Sequence, residues 1–244
     1  MNPQRLLQHF DRIAEAPDAV ARLRRFVLDL AVRGKLVEQD PNDEPAAELL
    51  DRIQGKKARL VKEGRIKKVE EYAEVTSEDE CWEIPSTWRF VRLGAITNIV
   101  MGQSPPGSTY NTNGEGVPLI NGPVEFTPNH FGKTIVNQYT TSPTNCCEPG
   151  DLLLCVRGST TGRTNIAAFR ACIGRGVAAV QALFQDQFVR LYLVSCRQAI
   201  IEMGRGIAFP SVSRSQITNI VVPMPPLPEQ HRIRATCAVS KPLS

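Results

Sequence analysis

Nowhere in this sequence do roughly 18 apolar residues run together, the length a membrane-spanning helix needs. Arg5, Asp11 and Arg12 interrupt the start of the chain, so it lacks the apolar centre of a secretory signal. No membrane association is expected, and the chain is assigned to the cytoplasm. Histidine is scarce, at three in 244 residues, and no C-x-x-C pair with a histidine at ligand spacing occurs, so no metal site is expected. The seven cysteines (Cys81, Cys146, Cys147, Cys155, Cys172, Cys196, Cys237) are an odd set scattered through apolar stretches, which reads as buried free thiols.

Catalytic motifs are equally absent. Gly132-Lys133-Thr134 has Thr127 where a phosphate-binding loop requires its first glycine. Gly174-Arg175-Gly176 with Ala179 matches a dinucleotide-binding turn loosely, but no acidic residue follows at about 20 positions, so a strand-to-strand turn is the better reading. Ser104-Pro105-Pro106-Gly107 lacks the Asn or Asp before Pro-Pro, and the aromatic after it, that an amino-methyltransferase uses. Cys146-Cys147 has no visible base partner. No catalytic residue and no cofactor is expected: the chain binds without reacting.

What is present is an ordinary globular composition, 42% hydrophobic and 22% charged, with an uneven charge. Residues 1–88 hold 15 Lys and Arg against 18 Asp and Glu, a balance of −3; residues 151–215 hold eight Arg, no Lys and three acids, a balance of +5. Arginine forks suit phosphate oxygens and guanine edges. Arg157, Arg163, Arg175 and Arg205, each beside a glycine, point to nucleic acid, whereas Arg190 and Arg197 read as a solvated helix face.

Asn2-Pro3 opens a helical pattern through Leu6, Leu7, Phe10, Ile13 and Ala14; it breaks near Pro17 and resumes through Val20, Leu23, Phe26, Val27, Leu30 and Ala31 until Gly34. This apolar stripe packs either on its own domain or on a partner helix. A shorter helix is predicted from Pro45 to about Ile53, then a charged linker or exposed helix over 55–80. From Trp82 the chain becomes β-rich and loop-heavy, with apolar runs at 90–101, 117–126, 150–157, 164–181 and 217–224. One helix interrupts it at about 186–203, with Phe188, Leu191, Tyr192, Ser195, Ala199 and Ile200 as its stripe. Residues 223–230 read as a stiff, Pro-rich extended connector, with a helix starting near Glu229.

Gly102-Gln103-Ser104-Pro105-Pro106 with Tyr110-Asn111, Gly116-Val117-Pro118-Leu119-Ile120-Asn121-Gly122, Pro149-Gly150-Asp151-Leu152-Leu153-Leu154, Val156-Arg157-Gly158, Asn165-Ile166-Ala167, Cys172-Ile173-Gly174-Arg175-Gly176 and Pro225-Pro226-Leu227-Pro228-Glu229-Gln230 occur in that order over about 85–231. Together they resemble the target recognition domain of type I restriction-modification specificity subunits. Gly34-Lys35-Leu36-Val37 and Gln39-Asp40-Pro41-Asn42-Asp43-Glu44-Pro45-Ala46 are similar to the segment following a spacer helix in that family.

The resemblance implies an α+β fold, a β-rich target recognition domain (81–231) preceded by a helical spacer and linker (1–80). After His231 the family's regular Leu and Ile spacing is lost, so 232–244 is read as the truncated start of a second spacer helix and the chain as a half-length or truncated subunit. It implies double-stranded DNA as ligand and, as partners, a methylation subunit and a restriction subunit. Two copies would pair through the coiled-coil stripe Leu6, Phe10, Ile13, Val20, Leu23, Val27 and Leu30.

Three loops are the expected DNA-binding sets. The first is Gln103, Ser104, Ser108, Thr109, Tyr110, Asn111, Asn113 and Asn121. Arg157, Ser159, Thr160, Thr161 and Arg163 make the second, with Arg175 as a further arginine, and the third is Arg205, Phe209, Ser211, Ser213 and Arg214. The rival reading is an interaction adaptor that works by its helices and never touches DNA.

Overall fold

Residues 19–66, 72–184, 187–204 and 211–239 are described by the computed structural model. Leu6, Phe10, Ile13, Arg205 and Phe209 lie outside the described residues, as does the side chain of Val20.

Helix α1 (Ala19–Val32) carries the expected stripe and ends as expected at Gly34 (φ 67°). Lys35 N–H reaches the Leu30 carbonyl and Gly34 N–H that of Ala31, the two bonds that close a helix C-terminus through a left-handed residue. Ala31 and Val32 enter the core, whereas Leu23, Val27 and Leu30 stay half-buried. Helix α2 (Ala46–Lys62) runs past the expected end at Ile53. Leu49, Ile53 and Lys57 share one buried face at four-residue spacing, and Lys57 stays helical and buried because its ammonium donates to the Gly94 carbonyl.

Strand β1 (Arg89–Arg92) pairs antiparallel with β11 (Val221–Met224). Pro223 therefore belongs to a strand, opposite Phe90, rather than to an extended connector; a two-stranded ribbon leaves an edge where its missing N–H is tolerated. A short helix α3 (Leu93–Ile96) leads into β2 (Thr97–Met101), which joins β10 (Val177–Ala182), β7 (Leu152–Cys155) and β8 (Thr164–Ile166) in a four-stranded sheet of order β2-β10-β7-β8, all antiparallel. The remaining strands are β3 (Tyr110–Asn111), β4 (Val117–Ile120), β5 (Gln138–Thr140), β6 (Cys146–Cys147) and β9 (Ala171–Ile173). They form a five-stranded sheet of order β3-β5-β4-β9-β6 with one parallel pair, β4 with β9.

The alternation of side chains along a strand explains why β7 is apolar throughout. Leu152, Leu154 and Val156 face a core shared with the helices, as do Ala178 and Val180 of β10. Leu153 and Cys155, with Val177 and Ala179, face a second core that includes Ile120 and Ile173 of the five-stranded sheet. The four-stranded sheet is thus covered on both faces.

The expected helix over 186–203 is two, α4 (Gln187–Ser195) and α5 (Arg197–Met203), broken at Cys196. The break turns the face, so Phe188, Tyr192 and Ile200 are buried while Ser195 and Ala199 are exposed. Helix α6 (Arg214–Thr218) is capped by Ser213, and α7 (Leu227–Val239) begins two residues before Glu229.

Glu229 and Arg232 of α7 tie the N-terminal segment to this scaffold. The buried Glu229 carboxylate accepts from Trp88 Nε1 at 2.8 Å and from Gln39 Nε2 at 2.6 Å; Arg232 pairs with Asp43 at 2.5 Å.

Candidate nucleic-acid interface

Strand direction gathers the predicted loops at one end of the two sheets. Met101 at the end of β2 pairs with Ala178, Cys155 at the end of β7 pairs with Val177, and Thr164 at the start of β8 pairs with Leu154. In the other sheet β4 and β9 run parallel and finish together at Ile120 and Ile173. The loops that follow or precede these ends (102–106, 121–123, 156–163 and 174–176) therefore leave from a common rim, and Gly174-Arg175-Gly176 is the turn joining the two sheets.

The backbone packs closely here. A Cβ on Gly102 would lie 2.1 Å from the Gly174 carbonyl oxygen and 2.6 Å from that of Val177, so only glycine lets β2 run so close to the β9–β10 turn. Gln103 N–H donates to the Ile173 carbonyl (2.9 Å), Arg175 N–H to Ser104 Oγ (3.2 Å), and Gly174 N–H to the Ile120 carbonyl (2.8 Å). Thr144 Oγ1 donates to the Gln103 carbonyl and Asn145 Nδ2 to that of Met101. Asn121 is set by the buried Glu125 carboxylate, which accepts the Asn121 and Gly122 N–H groups at 3.2 Å each. On the other side Val212 N–H donates to the Val156 carbonyl, and Arg157 bridges Ser211.

The rim thus brings together Gln103, Ser104, Asn121, Arg157, Ser159, Thr160, Arg163, Arg175 and Ser211. Gln103, Arg157, Ser159 and Arg175 are exposed. Thr161 sits on the same loop but is buried, its hydroxyl spent on the Gly158 carbonyl at 2.8 Å.

Other predicted residues fall elsewhere. Tyr110 and Asn111 pair with Thr140 and Tyr139 at the level of Val117 and Pro118, up to three residues back from the rim along β4, or as much as roughly 10 Å at strand rise. There Asn111 closes its own loop, donating to the Glu115 carbonyl at 2.9 Å and accepting from Glu115 N–H at 3.0 Å, and Asn113 reaches the Glu115 carboxylate at 3.3 Å. Thr109 bonds the Pro106 carbonyl and the Thr140 hydroxyl; Ser108 is exposed beside it. Ser213 is occupied by helix capping, and Arg214 is half-buried near Lys57, whose pKa it helps to depress.

Charge at the rim is one-sided. Among the described residues Arg157, Arg163 and Arg175 have no carboxylate at ion-pairing distance, unlike Arg170 with Glu148 (3.2 Å) or Arg92 with Asp79 (2.5 Å). The buried Glu125 carboxylate is already committed to the Asn121 and Gly122 N–H groups.

Two further residues belong here: His130, which sequence reading passed over, and Arg197, which it read as a solvated helix face but whose Nε is buried. Arg197 lies against Gly162, and His130 is held to Thr164, its Nδ1 3.3 Å from Thr164 Oγ1 and its carbonyl accepting from that hydroxyl at 3.1 Å. Burial, then Arg197 and Arg163, push the His130 pKa below its ordinary value. No local motif announces either residue.

Nothing favours a nucleophile at the paired cysteines. Burial raises the Cys146 thiol and pushes Cys147 up to about 12, the opposite of what activation needs. Among the described residues no group of acids, histidines and cysteines could hold a metal, and no helix is long and apolar enough to cross a membrane.

Comparison with known proteins agrees with this architecture. Residues 85–236 match the family model described as type I restriction modification DNA specificity domain. The EcoEI specificity subunit of Escherichia coli is 32% identical over 200 residues, covering 80% of this chain and 32% of that subunit. The EcoAI specificity subunit of the same organism is 48% identical over 101 residues, 41% of this chain and 17% of that subunit. Among solved structures, the HsdS subunit of Thermoanaerobacter tengcongensis superposes with a TM-score of 0.58 at 25% identity, covering 94% of this chain and 48% of that one. The chain spans less than half the length of each of these relatives. It belongs to the type I restriction modification DNA specificity domain family.

Proposed function

We propose that this chain reads double-stranded DNA as the specificity component of a type I restriction-modification complex, directing a methylation subunit and a restriction subunit to a target while doing no chemistry itself. The observation that carries this reading is the rim: loops from both sheets converge on one edge, carrying amide and hydroxyl side chains with three arginines that have no carboxylate partner among the described residues. Asn and Gln suit adenine, Arg suits guanine or phosphate, and a rigid double sheet holds them in register. Residues 81–231 form the reading domain, with helical regions at 1–80 and 232–244, in the cytoplasm.

The test is co-expression with the methylation subunit of the same system and mapping of methylated bases. Methylation at one defined sequence is expected, with no methyl transfer by the lone chain from labelled S-adenosylmethionine. In binding assays between about 50 and 200 mM salt, Arg157→Ala, Arg163→Ala and Arg175→Ala should each weaken binding; where the arginine meets phosphate, the salt slope falls by about one. Methylation without sequence preference, or affinity unchanged in all three variants, would reject the rim.

One recognition domain reads one half-site, so two copies joined two-fold would read a symmetric pair. The α1 stripe is the seam for this homodimer, its Leu23, Val27 and Leu30 being half-buried within the chain. Light scattering of the wild type and of Leu23→Asp/Val27→Asp checks it, a dimer reduced to a monomer being expected.

A further inference from the structure

We infer that Arg163, Arg197 and His130 form a site for one DNA phosphodiester beside the base-reading rim, extending the footprint onto α5. The inference rests on the DNA-reading function above and adds Arg197 and His130 to the rim's Arg163.

The geometry begins at Gly162, whose φ of 81° turns the loop after Thr161 against the start of α5. A Cβ there would meet Arg197 Cγ at 3.0 Å, the Arg197 carbonyl oxygen at 3.2 Å and Ile201 Cγ1 at 3.3 Å, so the loop backbone lies directly on Arg197. Arg163 is the next residue, held by its carbonyl to Cys155 N–H and by its own N–H to the Thr160 carbonyl. Thr164, one residue further, fixes His130 from the facing segment. Three cationic or donor side chains from three segments are thus packed around one loop.

Arg197 Nε is buried without a hydrogen-bond partner, and among the described residues no carboxylate pairs with either arginine. The two guanidinium charges are close enough to both depress the His130 pKa. Like charges gathered with an unused buried donor are unfavourable in the free chain, and an anion would relieve both costs. A phosphodiester fits: it carries one negative charge, and its two free oxygens accept from forked guanidinium donors without any demand on base identity. Arg157 and Ser159 on the same loop place such a phosphate next to the bases being read.

The wild-type chain, bound to its methylation subunit, is titrated with a duplex carrying the mapped target and with a scrambled duplex at several salt concentrations. Arg197→Gln should weaken both complexes by a similar factor, about 5–10-fold at low salt, lower the salt slope by about one, and leave the ratio between target and scrambled duplex unchanged. Arg197→Lys should keep most of the slope while losing part of the affinity. Arg163→Gln changes a half-exposed loop residue and carries the same expectation should Arg197→Gln unfold α5. Unchanged slope and affinity in Arg163→Gln, or an altered target ratio in a folded Arg197→Gln, would overturn the phosphate site while leaving DNA reading intact. A wild-type complex that binds no duplex would overturn both.

Discussion

Replacing Glu229 tests how the flanking helices are fastened to the DNA-reading scaffold. Its side chain is fully buried, and its two oxygens satisfy Trp88 Nε1 and Gln39 Nε2, one donor from the base of β1 and one from the segment after α1. Glu229→Ala strands the buried Trp88 indole N–H, whereas the exposed Gln39 amide keeps the Gly34 carbonyl and can turn to water. Leaving one buried donor unsatisfied costs about 1–3 kcal/mol. At about 2–4 °C per kcal/mol for a chain of this size, the melting temperature should fall by roughly 2–12 °C. Glu229→Gln keeps one acceptor oxygen and should cost much less. Its pH dependence carries a sign. Burial raises the Glu229 pKa, outweighing the two hydrogen bonds, so its stabilising contribution is full below the ordinary glutamate range and declines as pH rises through the raised value. Glu229→Gln removes that titration and should gain on the wild type as pH rises from about 4.5 upward. Thermal melts by circular dichroism at pH 4.5 to 8 measure both effects. An Ala variant costing under about 1 kcal/mol, or a Gln variant equally damaging at every pH, would refute the reasoning.

Two further predictions concern the scaffold. Gly102→Ala puts a methyl against three carbonyl oxygens at 2.1–2.7 Å, so β2 must move off the β9–β10 turn; a loss of about 1–3 kcal/mol in urea melts is expected together with weakened DNA binding, and a neutral result would refute the close approach. Lys57 has its pKa lowered to about 8 by burial and by Arg214, so its contribution is full above 10.5 and lost as pH falls through about 8. Wild-type stability should therefore rise between about pH 8 and 10.5, and Lys57→Met should remove that rise.

Legibility of the fold followed the range of the interactions that set each element. The α1 stripe, the Gly34 stop, the uniformly apolar β7 and the Gly174–Gly176 turn depend on nearest neighbours along the chain, and all were readable. The extent of α2 was not, because Lys57 reads as a solvated charge until the Gly94 carbonyl, far along the chain, accepts its hydrogen bond. The break at Cys196 and the strand position of Pro223 likewise depend on what packs against them. At the candidate interface, glycine and arginine spacing marked the loops that strand direction gathers at the rim. Asn111 and Asn113 looked equally suited to bases, but their amides close a local loop on Glu115. Arg197 and His130 carry no local signal, since their meeting is made by the turn at Gly162 and the bond to Thr164.

The rim lies at the end of the four-stranded sheet opposite α3 and the start of α4, with only α5 and the segment leading into α6 reaching it, and this separation yields the last prediction. Met101, Cys155 and Thr164 mark the rim end, whereas Thr97 and Ala182 pair at the far end, where Leu183 N–H bonds the Ile96 carbonyl of α3 and α4 begins a few residues on. Helices α1 and α7 pack on α4, and α2 on α3. Exposed rim side chains should then be exchangeable without disturbing the helical end. In a triple variant Gln103→Ala/Ser159→Ala/Arg175→Ala, none of the three side chains is part of either buried core, and surface changes of this kind move stability by no more than about 0.5 kcal/mol each. The variant should keep its melting temperature within a few degrees and still co-purify with the methylation subunit, while the pattern of methylated bases changes or disappears. Loss of co-purification with the melting temperature preserved would show that the rim, rather than the helical end, contacts the partner.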